Sequence, residues 1–377
     1  TPVTQANLVC RLLLEKRLQR CKADGAPDGL VHRRIRQRIC GGIEVLLKKL
    51  TEACGAPGQE GEVRNLIRSE IEGHVDEIRT DALGNLIAIK NPSAPGPKVM
   101  LAAHMDEVAL MILGIEKNGL LRFRPIGGID PRVLVAKTVL VGEKKVPGVI
   151  GSKPIHLQKP EERQRPVGID ELLIDIGAKS QEEAEKVVNL GDCAYFATKF
   201  EEFGQDKIKA KALDDRVGCA LLIELLKRDY NIPVYGVFTV QEEVGLRGAG
   251  VAAYQIQPDV AIVLEGTTAS DVPGSDPHKH ATSVGKGPAI TIMDRSVITH
   301  PPLVRQLIEL AEKHDISYQI RRTNTGGTDA GQIQLTAGGT KAAVIAVPCR
   351  YIHSAASVMS KKDFEAAFQL TSVFLQE

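Results

Sequence analysis

Alternation of apolar runs with segments of helical period constrains this chain most. Lys98–Ala103, Val234–Val240, Asp259–Leu264 and Lys341–Val347 read as strands, and Asn85–Lys90 and Ala289–Met293 as two more. Helical patterns lie before, between or after them at Ile43–Leu50, Glu60–Glu72, Val217–Lys227, Pro302–Lys313 and Asp363–Phe374. Strands alternating with helices predict an α/β fold, an open, largely parallel sheet with helices on both faces. The texture changes between residues 109 and 203, where short runs of Val and Ile such as Thr138–Val141, Gly148–Ile150 and Leu172–Ile176 are punctuated by Gly and Pro. One helix, Ser180–Val188, interrupts them. The simplest organisation is an extension over 1–40, a first part of the main domain over 41–108, an inserted β-rich module over 109–203 and the rest of the main domain over 204–377.

Charge and composition exclude several classes. Lys plus Arg is 48 and Asp plus Glu is 47, a net charge of +1, so a surface built for nucleic acid is not expected. No apolar run is long enough for a membrane span, and no signal-peptide pattern is read. The 7 cysteines contain no C-x-x-C pair, which predicts free thiols and a cytoplasmic protein. Trp is absent, which disfavours a sugar-stacking cleft. Residues 1–40 are basic, and Leu8–Arg20 has the pattern of a short amphipathic helix. This segment is read as an appended extension that carries no chemistry.

The chemistry lies in five stretches, "LAAHMDEV" (101–108), "ALDDRVG" (212–218), "TVQEEVGLRG" (239–248), "IVLEGTTASD" (262–271) and "VPCRYIHSA" (347–355). In an open α/β sheet, sites form beyond the carboxyl ends of strands. His104, Glu242, Glu243, Glu265 and His353 follow strand-like runs at that end, and Asp214 opens a helix. Each piece alone has a bland reading: a core histidine, a solvated acidic pair, a turn cap. Together they would gather carboxylates that repel one another unless cations balance them. Two imidazoles with Asp214, Glu243 and Glu265 suit two divalent ions of zinc, cobalt or manganese, if one carboxylate bridges. Such a pair acidifies water and polarises a carbonyl.

The order H-x-D, D-D-R-x-G, E-E-x-G-x-x-G, E-G-T-T-A-x-D and Y-I-H-S resembles the M42 family of metallo-aminopeptidases. "GGIDPRVLVAK" (127–137), "GVIGSKPIHL" (148–157) and "GGTDAGQIQ" (326–334) extend the resemblance over roughly residues 42–377. The resemblance implies a peptidase domain interrupted by a β-barrel-like dimerisation domain. It implies that Asp214 bridges two metals, His104 and Glu265 completing one site and Glu243 and His353 the other. Position 265 is often Asp in relatives; Glu keeps the carboxylate with altered geometry. Asp106 would orient His104, Glu242 would be the general base, and the Asp214–Asp215 peptide would be cis. Thr325–Gly331 would line the cleft. The implied substrates are peptides trimmed from the amino terminus, with homo-oligomers built from dimers and extending to dodecamers.

Other polar residues are read as structural: Arg247 and Arg350 as loop braces, His156 as part of the inserted module, and the His278/His280 pair as a solvated loop. The rival readings are a glycoside hydrolase using two carboxylates without metal and an inactive metal-binding assembly protein.

Overall fold

The computed structural model describes residues 42–323 and 325–377; the extension over 1–40, with its expected helix at Leu8–Arg20, lies outside them. Residues 42–47 belong to one unit and are helical. Residues 48–377 form the other, which is described below.

Its strands are β1 (Glu77–Thr80), β2 (Leu86–Lys90), β3 (Val99–His104), β4 (Ala109–Ile115), β5 (Leu121–Ile126), β6 (Thr138–Val141), β7 (Val146–Gly151), β8 (Leu173–Asp175) and β9 (Cys193–Phe196). They continue with β10 (Glu201–Phe203), β11 (Lys207–Ala210), β12 (Val234–Thr239), β13 (Val260–Thr268), β14 (Ala289–Thr291), β15 (Gln319–Arg321), β16 (Lys341–Arg350) and β17 (Ser357–Ser360). The main sheet runs β1-β2-β12-β3-β13-β16-β17-β11-β10, with β14 and β15 attached beside β16. Its four central strands, β12, β3, β13 and β16, are mutually parallel. All four carry the apolar runs expected to be buried, and β3 is buried at every residue.

Side chains alternate across the sheet, so each strand serves both faces. Met100, Ala102, Val237, Ala261, Val263, Val344 and Ala346 share a core with Ala249, Ala252, Ala253 and Ile256 of helix Arg247–Ile256 and with Ile333 of the short helix Ala330–Gln334. Helix Leu213–Leu226 packs on β3 and β13, and helix Lys361–Gln376 packs on it and on β16. Gly236 admits the first of these, since a Cβ there would lie 2.7 Å from Leu226 Cδ1. The α/β architecture with helices on both sheet faces is therefore present as read from the sequence.

The insert is a closed barrel, β4-β5-β8-β7-β6-β9, with its own core of Leu110, Ile112, Phe123, Val139, Val141, Ile150 and Ile174. Its strands end at Phe196, and β10 pairs with β11 in the main sheet. The helix expected over Ser180–Val188 is regular only at Gln181–Glu185, with Ser180 capping it.

Beneath the strand ends lies a buried ionic cluster. Glu107 accepts Lys211 Nζ at 2.6 and 2.7 Å on its two oxygens, and Arg216 Nη2 at 3.0 Å. Arg216 is wholly buried and also donates to the carbonyls of Leu50, Ala53 and Met105. The cluster ties the segment after β3 to the start of helix Leu213–Leu226.

Candidate metal centre

The four parallel strands each deliver a residue at the carboxyl end of the sheet. His104 is the last residue of β3, and its register partner Thr239 ends β12, three residues before Glu242. Glu265 lies within β13, and His353 sits in the turn between β16 and β17. Asp214 comes from the start of helix Leu213–Leu226, where Asp214 and Asp215 have non-helical dihedral angles and the peptide between them is cis. That irregular start explains why the helical pattern in the sequence begins only at Val217.

The side chains of His104, Asp214, Glu242, Glu243, Glu265 and His353 converge. His104 Nε2 lies 3.3 Å from Asp214 Oδ1, 3.7 Å from Glu265 Oε2 and 3.9 Å from Glu242 Oε2. His353 Nε2 lies 3.3 Å from both Asp214 Oδ2 and Glu243 Oε2. Two trios could each hold a metal ion: His104, Asp214 and Glu265, and Asp214, Glu243 and His353, with ligand atoms within 4.8 Å of one another in each trio. Asp214 belongs to both and turns one oxygen toward each imidazole.

Both imidazoles are anchored from behind. His104 Nδ1 is 3.0 Å from the main-chain oxygen of Asp106, and His353 Nδ1 is 2.9 Å from that of Gly128. A proton on each Nδ1 satisfies those carbonyls and leaves each Nε2 lone pair facing the carboxylates, the tautomer a metal ligand requires. The Asp106 carboxylate is 3.6 Å from His104 Nδ1. It accepts instead from the main-chain N–H of Glu242 on Oδ1 and of Glu243 on Oδ2, both at 3.0 Å. Asp106 thus fixes the acidic pair through its side chain and His104 through its backbone.

The electrostatics ask for a cation. Glu243 Oε1 and Glu265 Oε1 are buried with no hydrogen-bond partner, a costly state for a carboxylate. Burial, opposed by His353 and reinforced by Asp214, pushes the Glu243 carboxyl up to about 7. Burial and neighbouring carboxylates raise Glu242 and Glu265 well above the usual range. Burial would lower His353, yet the hydrogen bond with Asp214 and the charge of Glu243 bring it up to about 9. Divalent ions in the two trios would remove this frustration by pairing with the carboxylates in their charged form and with both imidazoles in their neutral form.

Backbone conformation aims the groups. Ala212, Gln241 and His353 are non-glycine residues at φ 52°, 57° and 57°, and such positions cluster at functional sites. Gly218 permits a close approach: its N–H donates to Asp215 Oδ1 at 2.9 Å, and a Cβ would lie 2.4 Å from both Asp215 oxygens and from Leu264 O. Gly218→Ala is therefore expected to cost about 1–3 kcal/mol by overpacking. By shifting the Asp214 loop it should also cost about 100-fold in kcat/KM. Thermal unfolding and steady-state kinetics check both.

A cleft of about 570 Å³ opens over the centre. Of the expected stretch Thr325–Gly331, Thr325, Gly326, Gly327 and Thr328 line it, whereas Asp329 turns to Thr239 Oγ1 and Ala330 and Gly331 enter the helix Ala330–Gln334. Thr267, Thr268 and Arg321, which the sequence reading did not single out, also line it. Thr267 and Thr268 fall within the E-G-T-T-A-x-D stretch; Arg321 had no local signal. Arg350 braces Asp271 through two hydrogen bonds of 2.9 and 2.6 Å, and Arg247 reaches Gln241. His156 is exposed in the insert, and His280 bonds Ser275 in its own loop. Neither belongs to the trios.

Residues 84–370 match the family described as M42 glutamyl aminopeptidase. The lysyl aminopeptidase of Pyrococcus furiosus is 35% identical over 88% of this chain and 96% of its own length. An aminopeptidase of the archaeon Desulfurococcus kamchatkensis superposes with a TM-score of 0.86 at 40% identity, covering 89% of this chain and 95% of that one. The TET1 peptidase of Pyrococcus horikoshii, which can assemble into a tetrahedron or a large octahedral shell, does so with 0.78 at 36%, covering 89% and 99%. The chain belongs to the M42 aminopeptidase family.

Proposed function

We propose that this protein is a metal-dependent aminopeptidase that removes amino-terminal residues from peptides by a two-metal route. The carrying observation is the pair of ligand trios sharing Asp214, with the Glu242 carboxylate beside them. His104, Asp214 and Glu265 would hold one ion, and Asp214, Glu243 and His353 the other. Three ligands from imidazole and carboxylate suit zinc or cobalt, with manganese as a third candidate.

When bound, the ions would supply Lewis acidity toward water and the scissile carbonyl. The residues do the rest. Asp106 holds the main chain of Glu242 and Glu243 together, so that one carboxylate serves as ligand while its neighbour stays free. Glu242 accepts the proton of the attacking water at Oε2 and returns it to the leaving amine. The barrel would carry self-association, with dimers as the building block and a dodecamer as the larger form; the shells formed by the TET1 relative support this. Among the described residues no helix is long and apolar enough to cross a membrane. Cys54, Cys193, Cys219 and Cys349 are free thiols, in keeping with a cytoplasmic setting.

Hydrolysis of aminoacyl p-nitroanilides before and after chelation tests the reading. Turnover should disappear with the metal and return on adding zinc or cobalt. Turnover that survives complete metal removal would refute it, and cleavage of β-glucan by the stripped protein would favour the glycosidase instead.

A further inference from the structure

We infer that Arg321 makes the cleft selective for an acidic amino-terminal residue, its guanidinium receiving that residue's side-chain carboxylate; this rests on the aminopeptidase reading above. The family description and the lysyl relative name opposite side-chain charges, so family membership leaves the preference open and this chain's own walls decide it. Among the described lining residues Arg321 is the one Lys or Arg. It ends β15, is only 8% exposed, and shares the cleft with Asp214, Glu242, Glu243, Glu265 and His353.

Its donors are not used up by the protein. Nη2 donates to the main-chain oxygen of Thr325, but Nε is buried with no partner. The nearest carboxylate, Asp294 Oδ2, is 3.8 Å from Nη1, beyond hydrogen-bonding distance. Asp294 is itself engaged by Ser296 N and Oγ, Val297 N and Thr328 Oγ1, at 2.7–3.1 Å. A buried guanidinium with an idle N–H is costly until a second acceptor arrives. A carboxylate is the acceptor its planar fork fits best. The four carboxylates of the lining, those of Asp214, Glu242, Glu243 and Glu265, are assigned to ions and proton transfer, which leaves none to receive a basic side chain. Beside Arg321 the wall is Thr325, whose carbonyl it holds, and Gly326, where a Cβ would lie 3.4 Å from Nη2, small residues that leave room for a Glu or Asp side chain.

The test compares kcat/KM of the metal-loaded full chain on the p-nitroanilides of Glu, Gln, Leu and Lys, substrates without a terminal carboxylate that Arg321 could hold instead. Wild type should prefer Glu over the isosteric Gln by about 100-fold, the scale of charge-assisted hydrogen bonds. Arg321→Met should collapse that ratio, and Arg321→Glu should move the preference toward Lys. A wild type that turns over Lys or Gln as well as Glu overturns the inference, as does a Glu:Gln ratio that survives Arg321→Met. If a variant fails to fold, the wild-type ratio still decides. Turnover of none of the anilides removes the aminopeptidase reading itself, an outcome distinct from turnover without acidic preference.

Discussion

Glu242→Gln is expected to bind its metals as the wild type does and to lose at least about 10³-fold in kcat, the usual scale of general acid–base catalysis. The substitution keeps the main-chain N–H that Asp106 holds at 3.0 Å and nearly the whole side-chain volume. It removes only the ability to take up a proton at a point 3.9 Å from His104 Nε2. Neither trio includes Glu242, so metal content should stay unchanged, and stability should hold or rise slightly as a buried charge leaves an acidic cluster. Steady-state kinetics beside metal analysis of the same sample separate the roles. Loss of an ion together with activity would make Glu242 a ligand, and unchanged turnover would remove it from the mechanism.

Glu107→Ala should have the largest effect on stability, about 3–5 kcal/mol in chemical denaturation. Glu107 is 2% exposed and is the carboxylate facing both Lys211 and Arg216. Burial already holds the Lys211 ammonium below its usual range, with Glu107 opposing that shift and Arg216 adding to it. Deleting the anion leaves two buried cations facing each other. The damage should also reach the centre, because Glu107 follows Asp106, and Arg216 follows the Asp214–Asp215 pair while bonding Met105 O at 3.1 Å. A loss below about 1 kcal/mol would show that water enters the cluster freely.

The sheet was legible because its central strands are buried on both faces and so read as continuous apolar runs. The edge strands were not: β1 is Glu-Ile-Arg-Thr and β10 is Glu-Glu-Phe, short and largely exposed, and their pairing depends on neighbours rather than on pattern. All six side chains gathered at the centre carried a motif signal, because each is a His, Asp or Glu in a short stretch beside a strand end or, for Asp214, at a helix start. Of the groups behind them, Asp106 and Arg216 fell within the motifs, but others carried no signal. Glu107 and Lys211 look like any surface charges in a sequence, and only the fold buries them together. Arg321 likewise becomes noteworthy only once its Nε is seen to lack a partner.

The most direct test of the shared-carboxylate centre is the number of ions bound per chain, measured by elemental analysis after metal stripping and reloading with zinc or cobalt. Two per wild-type chain, one after His353→Ala and almost none after Asp214→Ala are the predicted results. One or no ion in the wild type, or two retained without Asp214, would contradict it.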